Sequence, residues 1–503
     1  MSALVHGAVL FGVDAALVSV EVDLLRRLPS VAIVGLPSPS VREAAERVRS
    51  AILASGMEFP RARVVISLAP ADLRKEGTGF DLPMALAILA AAGRVDRDNV
   101  GRWLFAGELS LAGELRAIRG SLAITCAARD AGFRGVILPV ANGPEAALVG
   151  GLEVRVAQTL REVIAFLDGA GHLPLGSAPD LREPHRGLDL AEVQGQTRAR
   201  LALEVAAAGG HNMLLEGPPG CGKTMLAARL PGILPALTPG EALECTRIHS
   251  AAGLRSGGAG VVTQRPFRAP HHSASTAALL GTADLRPGEA ALAHRGVLFL
   301  DEFPEFRRDA REALRAPLED RSIVISRAGG RAVFPADFAL IAAANPCPCG
   351  YLGHPTRACV CPASARQRYR AHLSGPIVDR IDLRVELEPV EGQALFSGVR
   401  GESSADVRAR VESARSIQTA RNGPGRTNAG VSADEVLGLA DATAPAMRLL
   451  VEHVDRTGTS ARVGRRILRV ARTLADIDGA TRVGASQVTA AIALRFDGEE
   501  ALP

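Results

Sequence analysis

A glycine-rich loop that ends in lysine and threonine is the part of this chain whose residue types most directly imply chemistry. Residues 217–224 read Gly-Pro-Pro-Gly-Cys-Gly-Lys-Thr, the complete phosphate-loop pattern G-x-x-x-x-G-K-[ST]. Its glycines let backbone N–H groups converge on phosphate oxygens, while Lys223 would reach the β- and γ-phosphates and Thr224 would hold Mg²⁺. An apolar run precedes the loop and a helical run follows it, as this motif requires. The predicted nucleotide-binding residues are Gly217, Pro218, Pro219, Gly220, Cys221, Gly222, Lys223 and Thr224.

Lysine is rare in this chain, and its placement strengthens that prediction. Of the 58 basic residues only Lys75 and Lys223 are lysines. A planar guanidinium cannot replace a compact ammonium in a phosphate cradle without changing the geometry. One of the two lysines therefore stands where the chemistry demands it. For Lys75 the sequence leaves a structural contact and a nucleic-acid contact open.

Two carboxylates at the end of an apolar run supply a second part of the same site. Asp301 and Glu302 follow the run 296–300, about eighty residues after the phosphate loop. In this order the pair is typical of a Walker B segment, in which Asp301 would hold the Mg²⁺ shell and Glu302 would polarise the attacking water. The next apolar run, 338–344, ends in Asn345. That amide could orient the water or the γ-phosphate, the sensor 1 role, or could merely cap the strand.

Two arginines are candidates for stabilising charge on the transferred phosphoryl group. Arg380 would act as an arginine finger offered to a neighbouring subunit, which requires a ring. The alternative for Arg380 is a local ion pair with Asp379 or Asp382. Arg462 opens a helix and would reach the γ-phosphate from a lid, the sensor 2 role, although four further arginines share that helix.

Four of the seven cysteines, Cys347, Cys349, Cys359 and Cys361, fall within fifteen residues. Two Cys-x-Cys pairs could form a structural Zn²⁺ site that staples the loop after Asn345. The spacing is tighter than the usual C-x₂-C, and the alternative is four reduced thiols in a loop rich in proline and glycine.

The elements that must position these residues form several domains. The chain has 503 residues, 47% of them hydrophobic and 22% charged, with a net charge of +4. That length predicts two to four domains, and the small charge confines any nucleic-acid binding to local patches. We find no signal peptide, no apolar run long enough for a membrane span and no disulfide framework. These features predict a cytoplasmic protein without a membrane partner.

Composition and periodicity divide the chain into four parts. Residues 1–170 alternate short β-rich runs with amphipathic helices, and a linker rich in glycine and proline covers 171–187. A second α/β unit covers 188–395 and contains the phosphate loop. The remainder, 396–503, reads as helices.

Several segments resemble the magnesium-chelatase-like branch of the AAA+ ATPases. They are residues 265–275, 286–294, 345–350 and 379–383. Together with an amino-terminal domain of this kind, the whole chain resembles the bacterial ComM/YifB family. The resemblance implies an α/β protein with a Lon-protease-like α+β amino-terminal domain, a doubly wound AAA+ phosphate-loop domain and a carboxyl-terminal helical lid.

The amino-terminal domain resembles Lon proteases but lacks their catalytic pair. Residues 75–87 resemble the segment that carries the catalytic serine, and residues 118–122 resemble the one that carries the lysine. The two positions fall on Gly79 and Leu122, which supply neither a nucleophile nor a base. We expect this domain to serve oligomerisation or DNA handling.

The resemblance also implies a function. Members of the family are expected to be homo-hexameric ATPases that use ATP and Mg²⁺, load on single-stranded or branched DNA, and drive branch migration in homologous recombination and natural transformation. The alternative is a chelatase-like subunit that couples ATP hydrolysis to metal insertion or protein remodelling.

A hairpin just before the sensor 1 strand is the predicted DNA contact. Residues 323–334 read as two strands around a glycine-rich turn, with Arg327 and Arg331 beside its tip. Arginines there would grip phosphates in a central pore without reading bases. An ordinary surface hairpin is the alternative. For His271 and His272 we expect a place in an insertion loop near the pore, or a structural role.

Overall fold

The structure is a computed structural model that describes residues 2–178, 187–254, 261–327, 330–373, 375, 377–389 and 400–495. Within these ranges, a mixed sheet with helices, a parallel sheet with helices and a group of helices follow one another along the chain. Among the described residues, no helix combines the length and the apolar character needed to cross a bilayer.

The amino-terminal unit is built on a seven-stranded mixed sheet. The strands of the unit are β1 (Ser2–Phe11), β2 (Asp14–Leu25), β3 (Ser30–Val34), β4 (Arg63–Ala69), β5 (Trp103–Phe105), β6 (Glu108–Leu109), β7 (Leu115–Arg116), β8 (Gly135–Pro139) and β9 (Glu153–Ala157), of which β6 and β7 pair with each other outside the large sheet. The sheet order is β3-β4-β2-β1-β5-β8-β9, antiparallel from β4 through β2 to β1 and parallel elsewhere. Its helices are Pro39–Ala54, Asp81–Ala91, Arg97–Val100, Ser121–Asp130, Gly143–Ala146 and Leu160–Leu167.

Two helices show why this unit folds as it does. The helix Pro39–Ala54 begins with proline, and the Ser38 hydroxyl accepts a hydrogen bond from the backbone N–H of Val41. Every residue of the helix Asp81–Ala91 is buried, because its sequence is apolar on all sides. Its one charge, Asp81, is compensated by Arg47, whose Nε lies 2.9 Å from the carboxylate.

The central unit is a five-stranded parallel sheet with a separate hairpin. Its strands are β10 (Met213–Glu216), β11 (Phe267–Arg268), β12 (Val297–Leu300), β13 (Ser322–Arg327), β14 (Gly330–Pro335), β15 (Ala339–Ala344) and β16 (Leu383–Glu386). The parallel sheet has the order β11-β12-β15-β10-β16, and β13 pairs antiparallel with β14. The helices are Thr197–Gly209, Lys223–Ala227, Leu230–Ile233, Pro239–Ala251, Thr276–Leu280, Glu289–Leu292, Arg308–Ala313, Arg315–Asp320 and Ala363–His372.

The carboxyl-terminal unit consists of helices fastened to the parallel sheet by buried polar contacts. His211, just before β10, contacts Asp382 through Nδ1 (3.0 Å) and Thr473 through Nε2 (2.8 Å). Asn428 Nδ2 donates to Thr473 (3.0 Å) and to Asp476 (2.8 Å). Such a network fixes the helices against the core because each buried polar group needs its partner. The helices are Ser404–Asn422, Val436–Ala440, Ala444–Thr457, Ala461–Ile477 and Ala485–Ala493.

The turn between β1 and β2 docks the amino-terminal unit on the hairpin of the central unit. Val13 is buried in the same apolar cluster as Ala332 and Phe334 of β14. Gly12 has a φ of 65°, and a Cβ there would lie 2.9 Å from that of Ala332. The Nε of Arg247, on the helix Pro239–Ala251, donates to the carbonyl of Val13 (2.7 Å). The approach is so close that only glycine fits at position 12.

The predicted α/β class is confirmed, with parallel strands and helices in the central unit and helices at the carboxyl-terminal side. The first part of the predicted linker packs against the amino-terminal sheet. Leu173 is buried, and the N–H of Gly176 donates to the carbonyl of Val154 (2.9 Å), so residues 171–176 lie along β9. Residues 179–186 lie outside the described part.

Candidate nucleotide site

The phosphate loop connects β10 to the helix Lys223–Ala227 at the carboxyl edge of the parallel sheet. Gly222 has a φ of 94°, a conformation that L side chains rarely adopt, so the tight turn into the helix needs glycine here. The Lys223 ammonium donates to the carbonyls of Gly217 (2.6 Å) and Pro218 (3.0 Å). Burial lowers the pKa of Lys223. The loop thus encloses the lysine, which would bind phosphate together with the backbone N–H groups of the loop.

The pair Thr224 and Asp301 has the geometry of a Mg²⁺ site. Asp301 directly follows β12, and the Thr224 hydroxyl donates to its carboxylate over 2.8 Å. Adjacent ligands of an octahedral Mg²⁺ with bonds of about 2.1 Å lie about 3 Å apart. A hydroxyl and a carboxylate oxygen at this separation therefore fit two positions of the ion, with phosphate oxygens and water for the rest.

Asn345 lies beside the loop, as expected for a residue at the end of β15. Because β15 runs parallel to β10, with Ala344 opposite Glu216, the next residue stands next to Gly217. The Asn345 side-chain oxygen accepts a hydrogen bond from Lys223 over 3.1 Å. The amide therefore lies beside the lysine that would bind the β- and γ-phosphates.

Glu302 contacts a histidine that the motif analysis did not connect to it. His272 Nδ1 lies 2.8 Å from the Glu302 carboxylate. Glu302 itself has a φ of 52°, which is uncommon for a residue other than glycine. The segment that follows β11 thus reaches the glutamate of the neighbouring strand β12. Sequence alone offered only the pair of adjacent histidines as a signal.

The four clustered cysteines come together and adjoin the phosphate loop. Their four sulfur atoms all lie within 4.8 Å of one another, with Cys347 3.4 Å from Cys349 and 3.6 Å from Cys359. A tetrahedral Zn²⁺ with bonds of about 2.3 Å holds its sulfurs about 3.8 Å apart. The cysteines therefore fit a Zn²⁺ site. Gly350, in the same loop, packs so closely on Pro219 that a Cβ would lie 2.7 Å from its ring.

Arg380 and Arg462 meet at a different edge of the sheet. Arg380 precedes β16, and its carbonyl accepts a hydrogen bond from Asn212, which precedes β10 (3.1 Å). Its guanidinium pairs with Glu319, which also lies 3.5 Å from Nη2 of Arg462. Both arginines are thus at the amino edge, away from the phosphate loop of the same chain. The structure shows the Arg380 guanidinium in a local ion pair with Glu319, a residue that was not considered from the sequence.

The hairpin exposes one of the two arginines predicted to bind DNA. The side chains of β14 alternate, with Ala332 and Phe334 buried and Arg331 and Val333 exposed. Arg331 therefore faces away from the apolar cluster beneath the hairpin. The side chain of Arg327 lies outside the part of the chain that the structure describes.

The amino-terminal unit carries no serine–lysine pair at the positions compared with Lon proteases. Gly79 borders a cavity of about 210 Å³, and Leu122 is fully buried. Thr78 donates its hydroxyl hydrogen to Glu108, while Lys75 donates to the carbonyl of Pro70. Thr78 and Lys75 thus have separate partners and form no catalytic pair.

A cavity of about 500 Å³, which was not predicted, lies between residues 190–204 and residues 400–407. Gln196 ties its lining segment to the loop by donating to the carbonyls of Cys221 (3.1 Å) and Glu388 (2.7 Å). Leu190 and Val193 contribute apolar surface to the cavity. Arg200, Glu204, Arg400 and Glu402 add charged side chains, so the lining of the cavity is mixed in character.

Comparison with known proteins gives matches along most of the chain. The family described as Magnesium chelatase, subunit ChlI, matches residues 189–395; Subunit ChlI of Mg-chelatase matches 20–142; and the ChlI C-terminal family matches 401–495. Competence protein ComM of Haemophilus influenzae is 42% identical over 504 residues, which cover 98% of this chain and 97% of the relative. The chain belongs to the ComM/YifB family of magnesium-chelatase-like AAA+ proteins.

Two further relatives are similar over nearly the same length, and a third is similar over a shorter part of the chain. YifB of Escherichia coli is 41% identical over 495 residues, which cover 98% of this ComM/YifB chain and 96% of the relative. An uncharacterized protein of Mycobacterium tuberculosis is 44% identical over 491 residues, or 97% of each chain. A DNA replication licensing factor of Oryza sativa is 29% identical over 192 residues, 38% of this chain and 20% of that protein. These similarities indicate an AAA+ ATPase.

Proposed function

We propose that this ComM/YifB-family chain is a ring-forming, ATP-hydrolysing DNA motor that drives branch migration. The observation that carries the proposal is that Arg380 lies at the opposite edge of the sheet from Lys223. The four residues of β10 between these edges span roughly 13 Å at about 3.3 Å per residue, more than one arginine side chain can bridge. Arg380 can therefore serve the nucleotide of a neighbouring subunit, as in a ring.

Each residue at the carboxyl edge of the sheet has its own role in the proposed hydrolysis of ATP. Lys223 and the loop N–H groups bind the phosphates, Thr224 and Asp301 hold Mg²⁺, and Glu302 accepts a proton from the attacking water. Bound Mg²⁺ would neutralise charge on the phosphate oxygens. Asn345 orients the water. This arrangement needs only a charge-stabilising arginine from outside.

Arg380 supplies that arginine in trans, and Arg462 joins it. Both side chains contact Glu319 at the amino edge of the sheet. In a sensor 2 role, Arg462 would therefore also contact the γ-phosphate bound to the neighbouring subunit. Two arginines per interface would stabilise the spread of charge in the transition state. The subunits form a homo-hexamer in this proposal.

DNA is the proposed substrate of the motor. The exposed Arg331 on the hairpin can bind phosphates without reading sequence. Support comes from two relatives, one named a competence protein and the other a DNA replication licensing factor. We propose single-stranded or branched DNA in a central pore, with branch migration serving recombination during natural transformation.

The cysteine loop holds a structural Zn²⁺ in this proposal. Cys347, Cys349, Cys359 and Cys361 would be its ligands. The ion would keep the loop folded against Pro219 and keep Asn345 in place, without taking part in the reaction.

A chelatase-like role is the second candidate, because the matching families are named for a magnesium chelatase subunit. In that role ATP hydrolysis would drive insertion of a metal into a porphyrin. The two functions differ in what stimulates hydrolysis, which is DNA for the motor and a porphyrin or its carrier protein for the chelatase.

Resolution of a synthetic three-strand junction tests the proposal. The full chain with ATP should displace a strand, and Glu302→Gln should bind ATP and DNA while its turnover falls by about 100-fold or more, the typical contribution of a general base. ATPase activity that DNA does not stimulate, with no strand displacement, would refute the motor. Stimulation by a porphyrin would then favour the chelatase.

A further inference from the structure

Glu319 is the residue at which the two arginines of the amino edge meet. Its carboxylate pairs with Arg380, and its Oε1 lies 3.5 Å from Nη2 of Arg462. The side chain of Arg380 is only 9% exposed, whereas Glu319 is half exposed. A guanidinium held this way must leave the carboxylate before it can contact a phosphate on another subunit.

The same glutamate stands at the base of the hairpin. It belongs to the helix Arg315–Asp320, and β13 begins at Ser322. Between them, Arg321 has a φ of 53°, and its carbonyl accepts a hydrogen bond from the N–H of Ala336 over 2.9 Å. That bond closes the two strands at their base. A shift of Glu319 therefore acts on the helix end from which the hairpin emerges.

The surroundings of Glu319 favour an anionic occupant. A cavity of about 300 Å³ is lined by five arginines and three carboxylates. The buried Arg466 and the half-buried Arg469 add positive charge to that of Arg380 and Arg462. Arginine forms bidentate pairs with phosphate as well as with carboxylate, so a γ-phosphate can replace the carboxylate of Glu319 on the same guanidinium groups.

We propose that Glu319 is a positioning residue that couples the trans-acting arginines to the DNA-binding hairpin. Without a neighbouring γ-phosphate, Glu319 holds Arg380 and Arg462 together. When the phosphate takes these arginines, the carboxylate is released and the base of the hairpin shifts. In the other direction, DNA that displaces the hairpin withdraws Glu319 and frees the arginines for hydrolysis. This inference rests on the proposed function.

ATP hydrolysis by the full-length Glu319→Gln variant, with and without single-stranded DNA, tests the inference. We expect kcat without DNA to rise by about tenfold, equivalent to about 1.4 kcal/mol, because the arginines are no longer held. KM for ATP should stay unchanged, since Glu319 does not touch the nucleotide of its own chain. DNA should then stimulate hydrolysis by less than about twofold.

Asp320→Asn is the matched control, because it makes the same change in charge one residue further along at an exposed position. It should behave like the unchanged chain. Combining Glu319→Gln with Arg380→Ala should give the low turnover of Arg380→Ala alone, since Glu319 acts through that arginine.

Two kinds of failure are distinguishable in the same assay. If DNA does not stimulate the unchanged chain, the proposed motor is refuted. If it does, and Glu319→Gln keeps both its basal rate and its stimulation, the coupling role of Glu319 is refuted. A parallel fall in both rates would also overturn it, because it would show that Glu319 supports hydrolysis instead of restraining it.

Discussion

Glu302 is constrained both by its backbone and by a partner. Its left-handed conformation directs the carboxylate toward His272, which lies 2.8 Å away. A carboxylate in that contact accepts a hydrogen bond that competes with the one from an attacking water. In the proposed mechanism, the contact with His272 would restrain Glu302 as the general base.

Replacement of His272 tests this restraint. We expect His272→Ala to raise ATP hydrolysis in the absence of DNA by about threefold to tenfold, the range of one modest hydrogen bond. ATP binding should not change. His271→Ala is the control, because His271 contacts the Ser273 hydroxyl instead (2.8 Å). A fall in turnover for His272→Ala would show that the histidine activates Glu302.

At the scale of elements, the hairpin projects Arg331 outward while Ala332 and Phe334 of the same strand pack on the core. Arg331→Ala should weaken binding to single-stranded DNA of any sequence and reduce the slope of log K against log salt by about one phosphate contact. Fluorescence anisotropy at several salt concentrations measures both. Arg94→Ala, an exposed arginine of the amino-terminal unit, should change neither. Equal effects of the two substitutions would remove the hairpin from the DNA interface.

The cysteine loop gives a prediction about metal removal. Metal analysis of the purified chain should find one Zn²⁺ per subunit, and Cys349→Ser should lower that content and the kcat of ATP hydrolysis together. The physical reason is that the loop packs on Pro219 and begins next to Asn345. Cys126→Ser, outside the cluster, should keep the metal. If the chain contained no Zn²⁺ and were fully active, the four cysteines would be reduced thiols and not metal ligands.

Local patterns predicted the strands and the loops that follow them. The apolar run 338–344 contains β15, and residues 323–327 and 330–334 of the predicted hairpin lie in β13 and β14. These predictions work because a phosphate loop or a strand depends on residues close in sequence. The contacts of His272 with Glu302 and of Glu319 with the arginines depend on strand pairing and helix packing. Such contacts join residues distant along the chain, and no local spacing encodes them.

At the scale of the whole molecule, Arg380 and the phosphate loop lie at opposite edges of the sheet, so the proposed ring would build each active site from two subunits. Mixing Arg380→Ala with Lys223→Ala should therefore restore part of the ATPase activity that each variant lacks. The first variant binds ATP and the second supplies the arginine. A double variant with both Glu302→Gln and Lys223→Ala still has Arg380. Mixing it with Arg380→Ala subunits should therefore give the same partial recovery of ATPase activity. Absence of any recovery would place Arg380 in a role within its own chain.

The amino-terminal unit contacts the hairpin through its docked turn. Val13 shares a core with β14, so the unit rests on the element that carries Arg331. In the proposed motor, movement of the hairpin would also move the amino-terminal unit that packs on it.

The scarcity of lysine has a practical consequence. Lys75 is fully buried and Lys223 is 8% exposed, so amine-directed cross-linkers find almost no side chain to attack. Selective isotope labelling of lysine, in contrast, reduces a protein of 503 residues to signals from two side chains. One of them lies in the phosphate loop, which makes Lys223 a built-in spectroscopic reporter, and the other lies in a separate unit as an internal reference.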